Sequence, residues 1–129
     1  HRIMANYAWT INKLYTKDVT KNGTTYNDAI LRIDATLKGT SETIGSISAE
    51  GNFDLDMNVD NIDSDFTAYN SVTEANVKTW VENRIDSKIF ANVKAEIEAE
   101  IKFQENVDGS SAKGSTNSEG VFTASFPWS

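Results

Sequence analysis

Cysteine is absent from this chain of 129 residues, proline occurs once and histidine once. The first absence excludes a disulfide framework, a thiolate nucleophile and a cysteine-ligated zinc, and it fits a protein made and kept in a cytosol. No apolar run approaches the roughly 18 residues that a membrane-spanning helix needs, and no basic region followed by an apolar stretch marks an export signal. Basic residues are few and scattered: 12 Lys and Arg against 19 Asp and Glu give a net charge of −7. Nucleic-acid binding needs Lys and Arg gathered on one face, so nucleic acid is not an expected partner, and neither is a membrane. His1-Arg2-Ile3 precedes Met4 and is read as an expression remnant, which sets the only histidine aside and leaves residues 4–129 as one domain. A chain of this size buries roughly two thirds of the surface its unfolded form exposes, so a core can form without metal or disulfide support.

What the chain does carry is a change of hydrophobic period. From Tyr7 apolar residues alternate, with Tyr7, Trp9 and Ile11 on one side and Ala8, Thr10 and Asn12 on the other, and Leu14 and Tyr15 are expected to end this first strand. Asn22-Gly23 tolerates the positive φ angles of a tight hairpin, so the second strand folds back antiparallel. In that strand Leu31, Ile33, Ala35 and Leu37 face one way and Arg32, Asp34, Thr36 and Lys38 the other, with Gly39-Thr40-Ser41 expected to turn. A third alternating stretch runs from Ile44 to Val59, in which Gly45 and Gly51 mark bulges or the close approach of a neighbour. Residues 62–71 read as a polar linker that tucks Phe66 and Tyr69 inward.

The helical period begins at Val72. Ser71 and Glu74 match a capping box, with Thr73 as the competing cap. Val77, Trp80, Val81 and Ile85 form an apolar stripe, a break is expected at 83–87, and Ile89, Val93, Ile97 and Ile101 follow at intervals of four with Phe90 beside them. The fold class is therefore α+β: an antiparallel meander of three to four strands packed against two C-terminal helices in two layers. Residues 108–119 are Gly, Ser, Asn and Lys and read as a mobile loop, after which Gly120 to Trp128 turns apolar again and is expected to add an edge strand or to lay Phe126 and Trp128 into a groove.

Three groups of residues invite a chemical reading. Asp54, Asp56, Asn58 and Asp60 to Asp65 resemble the acidic spacing of a calcium loop, yet counting from Asp54 puts Val59 where an EF-hand needs Gly and Asp65 where it needs Glu, so a solvated strand face is the better account. The helical carboxylates Glu96, Glu98, Glu100 and Glu105 are read as a solvated face rather than an acid and base pair. Gly-x-Ser-x-Gly does not occur, and Asn22-Gly23-Thr24, formally a glycosylation sequon, is most simply a turn. The expectation is thus a protein that is not an enzyme, with no catalytic, cofactor-binding or metal-binding residues. Aromatic residues remain: Trp9, Trp80, Tyr7, Tyr15 and Phe90 belong to a core, while Phe126, Pro127 and Trp128 are the candidate partner-binding segment.

Met4, Tyr7-Ala8-Trp9-Thr10-Ile11-Asn12-Lys13-Leu14, the run Val72-Thr73-Glu74-Ala75-Asn76-Val77-Lys78-Thr79-Trp80-Val81 and the closing Phe126-Pro127-Trp128 together resemble a family of small uncharacterised proteins of tailed bacteriophages, including those of marine cyanobacteria. The likeness covers essentially the whole chain, and its most specific parts are Thr-Glu-x-x-Val-x-x-Trp-Val and the terminal Pro-Trp. It implies a viral protein in the host cytoplasm or the virion, with no functional residue to transfer. Two roles follow: a structural or assembly protein that binds other phage proteins or itself as a homo-oligomer through a sheet edge or the C-terminal aromatics, or a small acidic host-takeover factor that occupies a basic surface of a host protein.

Overall fold

A computed structural model of the chain describes residues 5–110 and, beyond them, the backbone of 115–116 and 122–123. Strands β1 (Ala5–Lys21), β2 (Thr24–Ser41) and β3 (Ser48–Asp56) form one antiparallel sheet in the order β1-β2-β3. A four-residue helix α1 (Ile62–Asp65) and a 3-10 turn (Tyr69–Ser71) lead to α2 (Glu74–Arg84) and α3 (Ser87–Val107). Two-residue strands β4 (Ser115–Thr116) and β5 (Phe122–Thr123) pair with each other, so among the described residues 122–123 do not extend the main sheet, and the rest of the terminal segment expected to form an edge strand or to fill a groove lies outside the described residues. The loop expected at 108–119 otherwise lies largely outside the described residues.

Both hairpin residues adopt the left-handed conformation, Asn22 at φ 54° and Gly23 at φ 81°, which matches the twist of the strands they join. Strand β1 does not stop at Tyr15. Register shifts after Ile11, Tyr15 and Lys17 each break the alternation while the ladder continues to Lys21. Such bulges flip the side-chain parity without ending the pairing. Asp28, at φ 53°, sits at the third shift, where its amide donates to the Asp18 carboxylate at 3.0 Å.

Gly39 is not a turn residue. It pairs with Tyr7 and Ala49 inside β2, and a Cβ built on it would lie 2.6 Å from Ile97 Cγ2 of α3. Gly51 opposes Leu37, and a Cβ there would meet Val93 Cγ1 at 2.5 Å. These two glycines open the lane in which α3 lies, whereas Gly45 has no such neighbour. The turn falls at 42–47, where the Ile47 amide donates to Ile44 at 2.9 Å and the Ser41 amide to Ile47 at 2.9 Å, so β3 starts only at Ser48.

Val77, Val81 and Ile85 of the α2 stripe and Ile97 and Ile101 of α3 bury against Ile33, Ala35, Leu37 and Phe53. Ile33, Leu37, Val81 and Ile101 are fully enclosed, each contributing on the order of 1.5–3 kcal/mol through removal of apolar surface from water. Trp9 reaches across the sheet to Phe53 and Phe90, with ring centroids 5.4 and 6.0 Å away. Ile89 is 55% exposed, because a four-residue interval drifts about 40° per step on a helix of 3.6 residues per turn, and Phe90 packs in its place. Phe66 tucks in against Tyr26, but Tyr69 stays 43% exposed.

The cap of α2 is Thr73, not Ser71. Its hydroxyl accepts from the Asn76 amide at 3.1 Å and the Asn76 side chain accepts from the Thr73 amide at 3.1 Å, a reciprocal box two residues along from the Ser71–Glu74 pairing the sequence offers. Ser71 is engaged in the 3-10 turn that precedes it. Asp86 caps α3 by accepting from Lys88 and Ile89.

Two outcomes are expected from this packing. Gly51→Ala lowers unfolding stability by about 1–3 kcal/mol in urea titration, since the stiff Val93 side chain must move to admit a methyl group. Thr73→Ala costs about 1 kcal/mol and Ser71→Ala only a few tenths, a difference readable in the same experiment.

Candidate functional site

Because both long helices pack on one side of the sheet, the opposite side is left as a flat polar surface made of cross-strand rows. Asn6, Thr40 and Ser48 form one row, Ala8, Lys38 and Glu50 the next, and Thr10, Thr36 and Asn52 a third. The bulge after Ile11 lets Asn12 join that third row: its amide donates to Thr36 Oγ1 at 2.8 Å, and Thr36 donates onward to Asn52 at 2.7 Å. Next along the sheet, Arg32 Nε donates to Asp34 at 2.8 Å, Arg32 Nη2 lies 3.2 Å from Asp54, and the Tyr15 hydroxyl donates to Asp34 at 3.1 Å. The guanidinium also lies 5.1 Å from the Tyr15 ring centre. The hydrogen bond from Arg32 holds the Asp34 carboxyl below the usual carboxylate range, with the Tyr15 hydroxyl acting in the same direction. These side chains are fixed by one another, so the face is ordered before any partner arrives.

The two edges of the sheet differ sharply. Strand β3 carries Glu50, Asp54 and Asp56 within nine residues, charges of the kind that keep an edge from pairing with another chain. Ala5 to Ile11 of β1 carries no charge, no proline, no glycine and no bulge, and its register with Ser41 to Ala35 is unbroken. Beyond the bulge, Lys13, Lys17, Asp18 and Lys21 return charge to the strand. Among the described residues no strand lies outside β1, and no side chain bonds the outward backbone groups of Ala5–Ile11. Sequence reasoning named a sheet edge as a route of contact without singling out this one. Tyr7 to Ile11 was legible as a half-buried strand, and its freedom from charge was the available signal, but which strand forms the rim is a property of topology.

At the other end of the sheet a cleft of about 480 Å³ opens between β2, the segment after β3 and α2, lined by Ile30, Met57, Phe66, Trp80 and Arg84 among others. Arg84 Nε donates to the Asp56 carbonyl at 2.8 Å, which ties α2 to the end of β3. Lys21 reaches the same region, donating to the Asp60 carbonyl and lying 3.6 Å from Asp63.

The acidic residues from Asp54 to Asp65 stay apart: Asp54 faces Arg32 and Asp63 faces Lys21. Among the described residues no group of three or more metal-ligating side chains is gathered. The helical carboxylates correct the expectation of a wholly solvated face. Glu96 and Glu100 are exposed, whereas Glu98 accepts from the Tyr7 hydroxyl at 2.5 Å and Glu105 accepts from Ser41 and from Thr43 at 3.0 Å. Burial, reinforced by the Glu98 carboxylate, pushes the Tyr7 phenol above its ordinary range and keeps it a donor. Lys94, on the same helix, is half-buried with its ammonium 4.7 Å from the Phe90 ring centre. Phe126, Pro127 and Trp128, the candidate partner-binding residues, lie outside the described residues.

A family model described as a domain of unknown function, DUF7936, matches residues 4–119. The chain belongs to that family. Comparisons with curated proteins and with solved structures give no match. The DUF7936 match takes in the whole three-stranded sheet, both long helices and therefore the neutral rim of β1, while Phe126 to Trp128 fall beyond it.

The polar face makes a pH prediction. Asp34 has its native pKa lowered, so the stability it contributes is present above the unfolded value of about 3.9 and is lost as pH falls through the native value. Asp34→Asn should flatten the decline of melting temperature below about pH 4 relative to the unaltered chain, and an unchanged slope would assign the acid sensitivity elsewhere.

Proposed function

We propose that this chain is a non-enzymatic structural or assembly protein that works through protein–protein contacts, with the neutral edge of β1 as its principal contact. The observation that carries this reading is the contrast between the two edges of the sheet: among the described residues no strand pairs with the outer side of the seven uncharged, regular residues Ala5–Ile11, whereas the β3 edge carries three carboxylates. An added strand completes the backbone hydrogen bonds of such an edge and fixes the partner's orientation. The resemblance to small proteins of tailed bacteriophages supports a place in the virion or in its assembly within the host cytoplasm, with other phage proteins or further copies of the chain as partners.

A second reading, a host-takeover factor, draws on the net charge of −7 and on the exposed Glu96 and Glu100 of α3, which suit a basic surface on a host protein. Mass spectrometry of purified phage particles separates the two. The assembly reading expects the chain in many copies per particle; its absence from particles, together with salt-sensitive capture of a basic host protein, replaces that reading with the second.

A further inference from the structure

Edge strands normally carry a device that blocks further pairing, and in this sheet the devices are unevenly placed. β3 has its carboxylates, and β1 has bulges and lysines only from Asn12 onward. The unprotected stretch Ala5–Ile11 spans about 24 Å at about 3.4 Å per residue. Its outward-facing side chains on the open sheet face are Asn6, Ala8 and Thr10, small and neutral, and all three are exposed. On the helix side Tyr7 and Trp9 stand at the rim only half-buried, the one through its bond to Glu98 and the other against Phe53 and Phe90.

We propose that Ala5–Ile11 pairs antiparallel with the same segment of a second copy of this chain, joining two three-stranded sheets into one of six strands. The inference rests on the assembly reading above and names the partner. Charge leaves this edge as the place where a second copy can pair. A chain this acidic repels itself over most of its surface, and the β3 edges would set Glu50, Asp54 and Asp56 against their equals, whereas Ala5–Ile11 meets its own image without opposing charge. Parity fixes the register. Residues opposite one another in an antiparallel pair share a face, so a two-fold axis at Ala8 keeps helix-side residues together and pairs all seven. Tyr7 then lies opposite Trp9 of the other copy, Ala5 opposite Ile11, and Asn6 opposite Thr10. The half-exposed aromatics gain a cross-strand partner, and the bulge at Asn12 ends the seam. The interface is isologous and closes at two copies.

The test is light scattering of the full chain over a concentration series, with amide hydrogen exchange followed at low and high concentration. The expected result is a species of twice 14.3 kDa and exchange at Ala5–Ile11 that slows as concentration rises. Ala8→Lys places two ammonium groups at the two-fold axis and should weaken association at least about tenfold while leaving the far-ultraviolet circular dichroism unchanged. A monomer at every concentration overturns the inference, as do assembly beyond two copies, an Ala8→Lys chain that associates as tightly as before, or protection that appears instead at Phe103 and Val107, exposed apolar residues of α3. If Ala8→Lys unfolds the sheet, Thr10→Lys and the exchange pattern of the unaltered chain decide the matter alone. A strict monomer found in many copies within particles would sink the self-pairing and leave the assembly reading standing.

Discussion

Helix α3 lies over the sheet along a lane that has no room for a side chain at Gly39 or Gly51, and the rest of the domain is arranged around that approach. The close fit brings Ile97 and Ile101 into the same cluster as Ile33 and Leu37, where apolar surface is removed from both layers at once. It also sets the helix's flanking polar groups within reach of the sheet's perimeter. Glu98 meets Tyr7 on β1, Gln104 meets the Ser48 carbonyl on β3 at 3.4 Å, and Glu105 meets Ser41 and Thr43 at the turn between β2 and β3. These contacts position the helix in register and along its length, which non-directional apolar burial alone does not do. A larger residue in the lane would lift the helix away from all of them.

Covering one face so completely leaves the other to manage itself. It does so with cross-strand pairs: the Asn12–Thr36–Asn52 chain and the Arg32–Asp34–Asp54 cluster bond to one another within the surface. A face whose polar groups already satisfy one another offers little to a stacking sheet, and desolvating its charges would be costly. The backbone of the rim is different, because its outward amides and carbonyls have no partner among the described residues and no side-chain charge to guard them. The domain thus discourages contact through its broad surface and permits it through a narrow one.

Much of this architecture was legible in the residues. Alternation identified the inward side of all three strands, Asn22-Gly23 located the hairpin, and the stripes of α2 and α3 marked the faces that bury. What escaped has specific causes. A glycine in sequence does not say whether it supplies a positive φ or a missing side chain, so Gly39 looked like a turn when it serves as a clearance. Bulges change parity one residue at a time, so the alternation broke at Leu14 while the hydrogen-bonded ladder ran on to Lys21. Ser71 and Thr73 both fit an N-cap, and only the preceding 3-10 turn decides between them. Glu98 and Glu105 sit on the flank of the buried stripe, where a long side chain reaches the neighbouring layer although its Cα faces water. The edge proposed for contact needed strand order, which depends on which strand closes the meander rather than on any residue within it.

That dependence lets the same seven residues line the core on one side and, in the pairing proposed above, meet a second copy on the other. In a three-stranded meander the first and last strands are both rims, and each must contribute apolar side chains inward while answering for its backbone outward. β3 answers with carboxylates on alternate positions, which costs nothing inward because alternation sends them to the solvent face. β1 places Asn6, Ala8 and Thr10 at the corresponding positions, residues with no charge and little bulk. Since a lysine or glutamate at any of them would point to the same solvent face, packing did not require their neutrality. On the self-pairing proposed above, the constraint that accounts for it is a neighbour alongside the strand, since an acidic chain tolerates a like-charged neighbour best where it carries no charge itself.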